Sequence, residues 1–286
     1  MPSTSPPAPQ ILMTGIRLGE CPRWHDGRLW FADWVAETLY AVDAEGTSEV
    51  VARVASLPFS FDWLPDGRML LVDARQNRLR RREAEGAFVT VTDLATLSPY
   101  GCNEIVVDGR GNAYVNNVNF AFPGGEFAPG FVALVTPDGK ARKVADGLGF
   151  PNGMAVTPDN RTLIVAESYG NKLTAFDIGA DGSLSGQRVW ADLPGDYPDG
   201  ICLDAEGAIW YADVPNKRCV RVAEGGKVLQ TVAVDRGCFA CMLGGADGNT
   251  LFILANQWGG PEGMASGEAT GQLLTTPAPA PHARRP

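Results

Sequence analysis

Histidine is nearly absent from the chain of 286 residues, which has only His25 and His282. That scarcity excludes a His-ligated zinc centre and a Ser-His-Asp triad, because each needs imidazole at its heart. The six cysteines, Cys21, Cys102, Cys202, Cys219, Cys238 and Cys241, contain one CxxC pair and no second pair to complete a zinc site. They read as structural or pocket-lining thiols. Basic residues are outnumbered, 24 against 33 acidic, giving a formal charge of −9. A nucleic-acid or anionic-membrane partner is therefore not expected, since phosphate recognition needs a basic surface. No run approaches the roughly 18 apolar residues of a membrane span. MPSTSPPAPQ lacks the basic start and apolar core of a leader. These absences favour a cytoplasmic protein with reduced thiols.

What the chain has in plenty is glycine (34), proline (21) and hydrophobic residues (45%). One pattern recurs: a turn rich in Asp, Gly or Asn, then a short apolar strand ending in a small or acidic residue. The copies are DGRLWFAD (26–33), DGRMLLVD (66–73), GRGNAYVN (109–116), DNRTLIVAE (159–167), AEGAIWYAD (205–213) and DGNTLFILA (247–255). Their spacing of roughly 40 to 50 residues is that of a propeller blade. The Asp-Gly and Asn-rich links are hairpin turns, which tolerate positive φ. Each copy has a strand before it and usually two after it, as in GMAVTP, RTLIVAE, KLTAFDI and QRVWADL of the fourth unit. The expectation is an all-β, six-bladed β-propeller of four-stranded antiparallel blades over residues 11–276. ILMTGIRL (11–18) would close the last blade as its outer edge, beside TGQLLTT (270–276). Residues 1–10 and 277–286 read as disordered tails.

The first strand of each blade lines a propeller's tunnel. Aligning the units on their turns puts Glu20 (GECPRW), Ser60 (FSFDWL), Asn103 (GCNEIVV), Asn152 (PNGMAV), Asp199 (PDGICL) and about Ala240 (FACML) at equivalent positions. PNG and PDG are also ordinary turn formers, so each residue taken singly could simply cap a turn. Glu20, Asn103, Asn152 and Asp199 in register on different blades favour a site. Carboxylates converging there repel unless protonated or neutralised. A divalent cation resolves the repulsion, and mixed carboxylate and amide oxygens suit Ca²⁺, Mg²⁺ or Mn²⁺.

GECPRW, GCNE, GFPNGMAVTPD followed by AES, and YPDGICLDAEGAIWYAD resemble the gluconolactonase family, which includes senescence marker protein (regucalcin) and luciferin-regenerating enzyme. The resemblance runs from about Leu18 to Leu254. It implies a six-bladed propeller with one catalytic divalent cation, Ca²⁺ first and Zn²⁺, Mn²⁺ or Mg²⁺ as alternatives, acting on lactones. It implies Glu20, Asn152 and Asp199 as the metal ligands. Asn103 is implied as a substrate contact, or as a further ligand in the diisopropyl fluorophosphatase type. Asp199 is implied as the base that activates water, with direct nucleophilic attack as a variant. Sugar lactonases of this family carry an arginine where this chain has Gly101, followed by Cys102. A lactone or ester less polar than an aldonolactone is the expected substrate.

Loops over the tunnel mouth should set specificity. NNVNFAFPGGEFAPG (116–130) brings Asn117, Asn119, Phe120, Phe122 and Phe127, and NQWGGPEGMASGEA (256–269) brings Trp258 and Met264. Ser60 and Ser168 are further pocket candidates. Trp30, Trp190 and Trp210 lie within strand patterns and read as core. Two alternatives stand beside the lactonase reading: hydrolysis of an organophosphate triester at the same site, and a non-catalytic propeller that binds a ligand on its rim. Oligomeric state is left open.

Overall fold

The alternation of short apolar strands with Gly and Asn turns produces 24 strands and no helix among the residues described by this computed structural model, 8–260 and 268–283. After β1 (Gln10–Ile16), the first blade is β2 (Gly19–His25), β3 (Arg28–Asp33), β4 (Thr38–Val42) and β5 (Ser48–Arg53). The second is β6 (Phe59–Trp63), β7 (Met69–Asp73), β8 (Arg78–Arg82) and β9 (Phe88–Asp93). The third is β10 (Ile105–Val107), β11 (Ala113–Asn117), β12 (Gly130–Val135) and β13 (Ala141–Leu148). The fourth is β14 (Pro151–Val156), β15 (Thr162–Glu167), β16 (Lys172–Ile178) and β17 (Leu184–Asp192). The fifth is β18 (Pro198–Leu203), β19 (Ile209–Asp213), β20 (Arg218–Val222) and β21 (Val228–Ala233). The sixth is β22 (Gly237–Gly244), β23 (Thr250–Asn256), β24 (Gly271–Pro277) and, as its outer edge, β1.

This is the expected six-bladed propeller. Each repeated turn-and-strand copy supplies the second strand of its blade. The first strands touch in a closed ring, β2 to β6, β10, β14, β18, β22 and back to β2. Blades pack face to face through apolar clusters that cross their boundaries. Phe31 of the first blade shares a cluster with Leu254 of the sixth, and Trp190 of the fourth shares one with Tyr211 of the fifth. Each such buried side chain contributes about 1.5–3 kcal/mol. Trp30, Trp190 and Trp210 are buried, as core residues should be.

The acidic or amide residues that end the second strands hold the upper loops. Asp33 accepts hydrogen bonds from the backbone N–H groups of Arg17 and Leu18, both at 2.9 Å, and of Ala36 at 3.2 Å. Asn256 of the sixth blade donates to the Arg17 carbonyl. Asp33 and Asn256 thus secure the link from the closing strand β1 to the first blade. Asp33→Ala strands these donors in a buried setting and is expected to cost about 2–4 kcal/mol, visible as a lower melting temperature. Asp33→Asn keeps one acceptor oxygen and should recover part of the loss.

The C-terminal segment departs from the expected tail. Pro277 still pairs in β24, and residues 278–283 pack on the fifth and sixth blades. The Ala278 N–H donates to the Asn249 carbonyl at 2.7 Å, that of His282 to Gly248 at 3.0 Å, and that of Ala283 to Leu203 at 3.1 Å. Ala280 is buried. Pro and Ala carry little side-chain entropy to lose, so a few backbone bonds suffice to fix the segment. At the other end Gln10 already belongs to β1, and residues 1–7 lie outside the described part.

Candidate functional site

Four first strands break register at the residues singled out from the sequence, β22 between Cys238 and Ala240 and three others at polar residues. The ladder shifts between Glu20 and Arg23 in β2, between Pro151 and Met154 in β14, and between Pro198 and Ile201 in β18. Such bulges bend a strand and re-aim a side chain. Glycines next to two of them let the strands crowd together at the axis. A Cβ on Gly153 would lie 2.5 Å from the Ile201 nitrogen, and one on Gly200 would lie 2.5 Å from the Ala240 Cβ. PNG and PDG are therefore strand segments at points of close approach, not turn caps.

Glu20, Asn103, Asn152 and Asp199, at or just before the starts of their inner strands, all line one cavity of about 590 Å³. Glu20 is buried, and burial raises its carboxyl well above the usual range, with the Asp199 and Glu104 charges adding to the rise. Asp199 opens onto the cavity but lies deep in it. Burial also pushes its carboxyl well up, with help from the charge of Glu104. Its Oδ1 is enclosed and has no hydrogen-bond partner. Asn152 donates from Nδ2 to the Ser168 hydroxyl at 3.4 Å, which leaves the amide oxygen for the cavity. Ser168 in turn donates to the Pro198 carbonyl at 2.8 Å, tying the fourth blade to the strand of Asp199.

Asn116 escaped the sequence reading, although it ends the third repeat copy with an amide where others end with a carboxylate. Its Oδ1 accepts from the Glu104 N–H at 3.1 Å, its Nδ2 donates to the Asn152 carbonyl at 2.5 Å, and its backbone carbonyl accepts from the Asn103 N–H at 2.9 Å. Asn116 therefore ties down two cavity residues on neighbouring blades, Asn103 through its backbone carbonyl and Asn152 through its side chain. Below the cavity the tunnel narrows to a void of about 10 Å³ lined by Cys21, Arg23, Glu104 and Cys241. Arg23 lies 3.7 Å from both Asp62 and Glu104 and donates to the Ile105 carbonyl at 2.6 Å. Burial lifts the Glu104 carboxyl to about 7, with Arg23 opposing the rise.

The rest of the cavity wall is apolar. Gly101, Phe120, Phe122 and Trp258 line it as expected, with Ser168. Phe150, Tyr169, Tyr197, Trp34 and Phe239 also line it and carried no distinguishing sequence signal. Ser60, Cys102, Asn117 and Asn119 do not line it. β6 has no bulge, so Ser60 stays in the ladder opposite Val72 with its side chain covered. Cys102 packs into the apolar boundary between the second and third blades. Asn117 is buried and donates to the Tyr100 carbonyl at 2.7 Å, while Asn119, at φ 64°, donates to the Pro129 carbonyl at 3.0 Å. Both asparagines shape the loops that carry the wall residues. Met264 lies outside the described residues. A larger groove, about 740 Å³, lies at the opposite ends of the first strands against the C-terminal segment. None of its lining residues has an enclosed polar side-chain atom without a partner.

Among the described residues no three His, Cys, Asp or Glu side chains are grouped to hold a metal, and the cavity's donor set is two carboxylates with two amides. All six cysteines are buried and unbridged.

Comparison with known proteins agrees with this architecture. A pentonolactonase of Haloferax volcanii is 25% identical over 255 residues, 79% of this chain and 83% of its own length. Regucalcin of Xenopus laevis is 32% identical over 130 residues, 43% of each chain. The luciferin-regenerating enzyme structure superposes with a TM-score of 0.82 at 18% identity, over 97% of each chain. The family model described as SMP-30/Gluconolactonase/LRE-like region matches residues 18–257, the whole ring from the first inner strand to the sixth blade, and the chain belongs to that family.

Proposed function

We propose that this protein is a divalent-cation-dependent hydrolase of a lactone or similar small ester, with Glu20, Asn152 and Asp199 holding the cation. One observation carries the reading: the enclosed Asp199 Oδ1 has no hydrogen-bond donor, while the Asp199 charge bears on the buried Glu20 carboxyl. A buried carboxylate oxygen without a donor, beside a second buried carboxylate, is costly, and a cation removes that cost. Oxygen-only donors favour Ca²⁺ over softer ions. A bound cation supplies Lewis-acid polarisation of the substrate carbonyl and stabilises the charge developing on its oxygen.

The chain's own groups do the rest. Asp199 accepts a proton from the attacking water, whose oxygen bonds to the carbonyl carbon. The carbon–oxygen ester bond breaks, and the proton passes to the departing alkoxide. The product is a hydroxy acid, which ionises on release. Asn103 orients the substrate at the cavity head, and the aromatic walls exclude bulk water.

The test is an activity matrix on chelator-stripped protein. Ca²⁺, Mg²⁺, Mn²⁺ and Zn²⁺ are each added with aliphatic lactones, aldonolactones and aryl phosphotriesters. Lactone turnover that appears only with cation is expected. Full turnover without cation defeats the proposal. Phosphotriester turnover alone transfers the site to organophosphates, and tight cation binding without turnover makes this a binding propeller.

A further inference from the structure

The volume and chemistry of the cavity go beyond what a small lactone ring requires. Four polar residues gather at its head, and beyond them the walls are Leu18, Trp34, Leu57, Val118, Phe120 and Phe239 among other apolar residues. The cavity does not end at the loop that carries Phe120 and Phe122. Phe120, Phe122, Pro123 and Tyr169 also line a second cavity of about 380 Å³ on its outer side. The saddle between the two is built of aromatic contacts. Phe150 lies 4.6 Å from Tyr169 and 5.0 Å from Phe122 between ring centroids, and Phe120 packs edge-on against Phe122 and Phe127. Phe127 and Tyr169 are each 49% exposed at the rim.

A charged partner for sugar hydroxyls has no place here. A Cβ on Gly101 would lie 2.5 Å from the Ala74 carbonyl oxygen and 2.8 Å from the Ala74 Cβ, so the backbone at this wall admits no side chain. Asn117 fixes that backbone by bonding the neighbouring Tyr100 carbonyl. The absence of a polar side chain at 101 is therefore built into the loop.

We propose that the substrate bears a long uncharged apolar substituent, alkyl or aryl, which runs from the polar head of the inner cavity over Phe122 and Tyr169 into the outer cavity. The inference rests on the hydrolase reading for its lactone or ester head, whereas the apolar track stands on the two cavities. Burying each further methylene along the track should raise affinity and kcat/KM roughly two- to fourfold until the outer cavity is filled.

The experiment uses γ-alkyl-γ-butyrolactones with substituents from methyl to heptyl and the full chain. Binding is measured by calorimetry without cation and turnover with Ca²⁺. The expected result is a rise with chain length in both series, and glucono-δ-lactone poorer than the heptyl compound. Tyr169→Ala should lose more on the heptyl than on the methyl compound, lowering the slope. A flat or falling binding series overturns the apolar track, as does a Tyr169→Ala slope equal to wild type. Binding that rises with chain length, with no turnover when Ca²⁺, Mg²⁺, Mn²⁺ or Zn²⁺ is supplied in turn, supports the track and defeats the hydrolase reading instead.

Discussion

Asp199→Ala is expected to lower kcat/KM for lactone hydrolysis by about 10³ or more while making the cation-free protein more stable. These opposite effects follow from one cause. Without a cation, Asp199 and Glu20 face each other across an enclosed space, and burial pushes both carboxyls well up, with neighbouring negative charges adding to the rise. Removing one relieves that repulsion. With Ca²⁺ in excess the order should reverse, because wild type gains stability by binding the ion and the variant forfeits it. The signature is a pair of melting curves that change places when Ca²⁺ is added. A group whose folded pKa is raised contributes stability below its unfolded pKa, and that contribution fades as pH climbs through the folded value. Glu104, lifted from 4.5 to about 7, sets the window, so cation-free wild type should weaken between about pH 4.5 and 7. Excess Ca²⁺ should remove the part of the pH dependence that comes from Glu20 and Asp199, since the ion competes with protons for those two carboxylates. Melting curves that stay in one order with and without Ca²⁺ would mean that Asp199 bears no part of a cation's binding.

The blade count, the strand order and the closing role of the N-terminal strand were all legible in the sequence. They depend on a periodicity repeated six times. The four polar residues of the cavity were legible for the same reason, since their positions recur relative to the turns. Side-chain direction was not. Ser60 occupies the equivalent place, but β6 runs without a bulge and keeps its hydroxyl covered. One residue of register decides which face of a strand a side chain meets, and turn spacing does not report it. Asn117 and Asn119 failed similarly, because a loop's polar residues hold its backbone as often as they meet a ligand. Asn116 was passed over although it bonds backbone on both sides of the site.

Gly153→Ala is expected to cost about 2–4 kcal/mol and to abolish cation-dependent stabilisation, although it adds a single methyl group. The new Cβ would stand 2.5 Å from the Ile201 nitrogen and 2.6 Å from the Asp199 carbonyl oxygen. Both are backbone atoms of β18, so no side-chain rotation relieves the contact. The strands must separate, and Asp199 moves away from Asn152. Gly67→Ala is the comparison: it sits at φ 83° with nothing within 4 Å of the added carbon. That change should carry only conformational strain, about 1 kcal/mol, and should retain the response to Ca²⁺. Melting temperature with and without Ca²⁺, measured on both variants, separates loss of site geometry from loss of stability alone. A Ca²⁺ response kept intact in Gly153→Ala would show that the inner strands tolerate separation there. The close approach of β14 and β18 would then not be what brings an amide from one blade and a carboxylate from the next to a shared point.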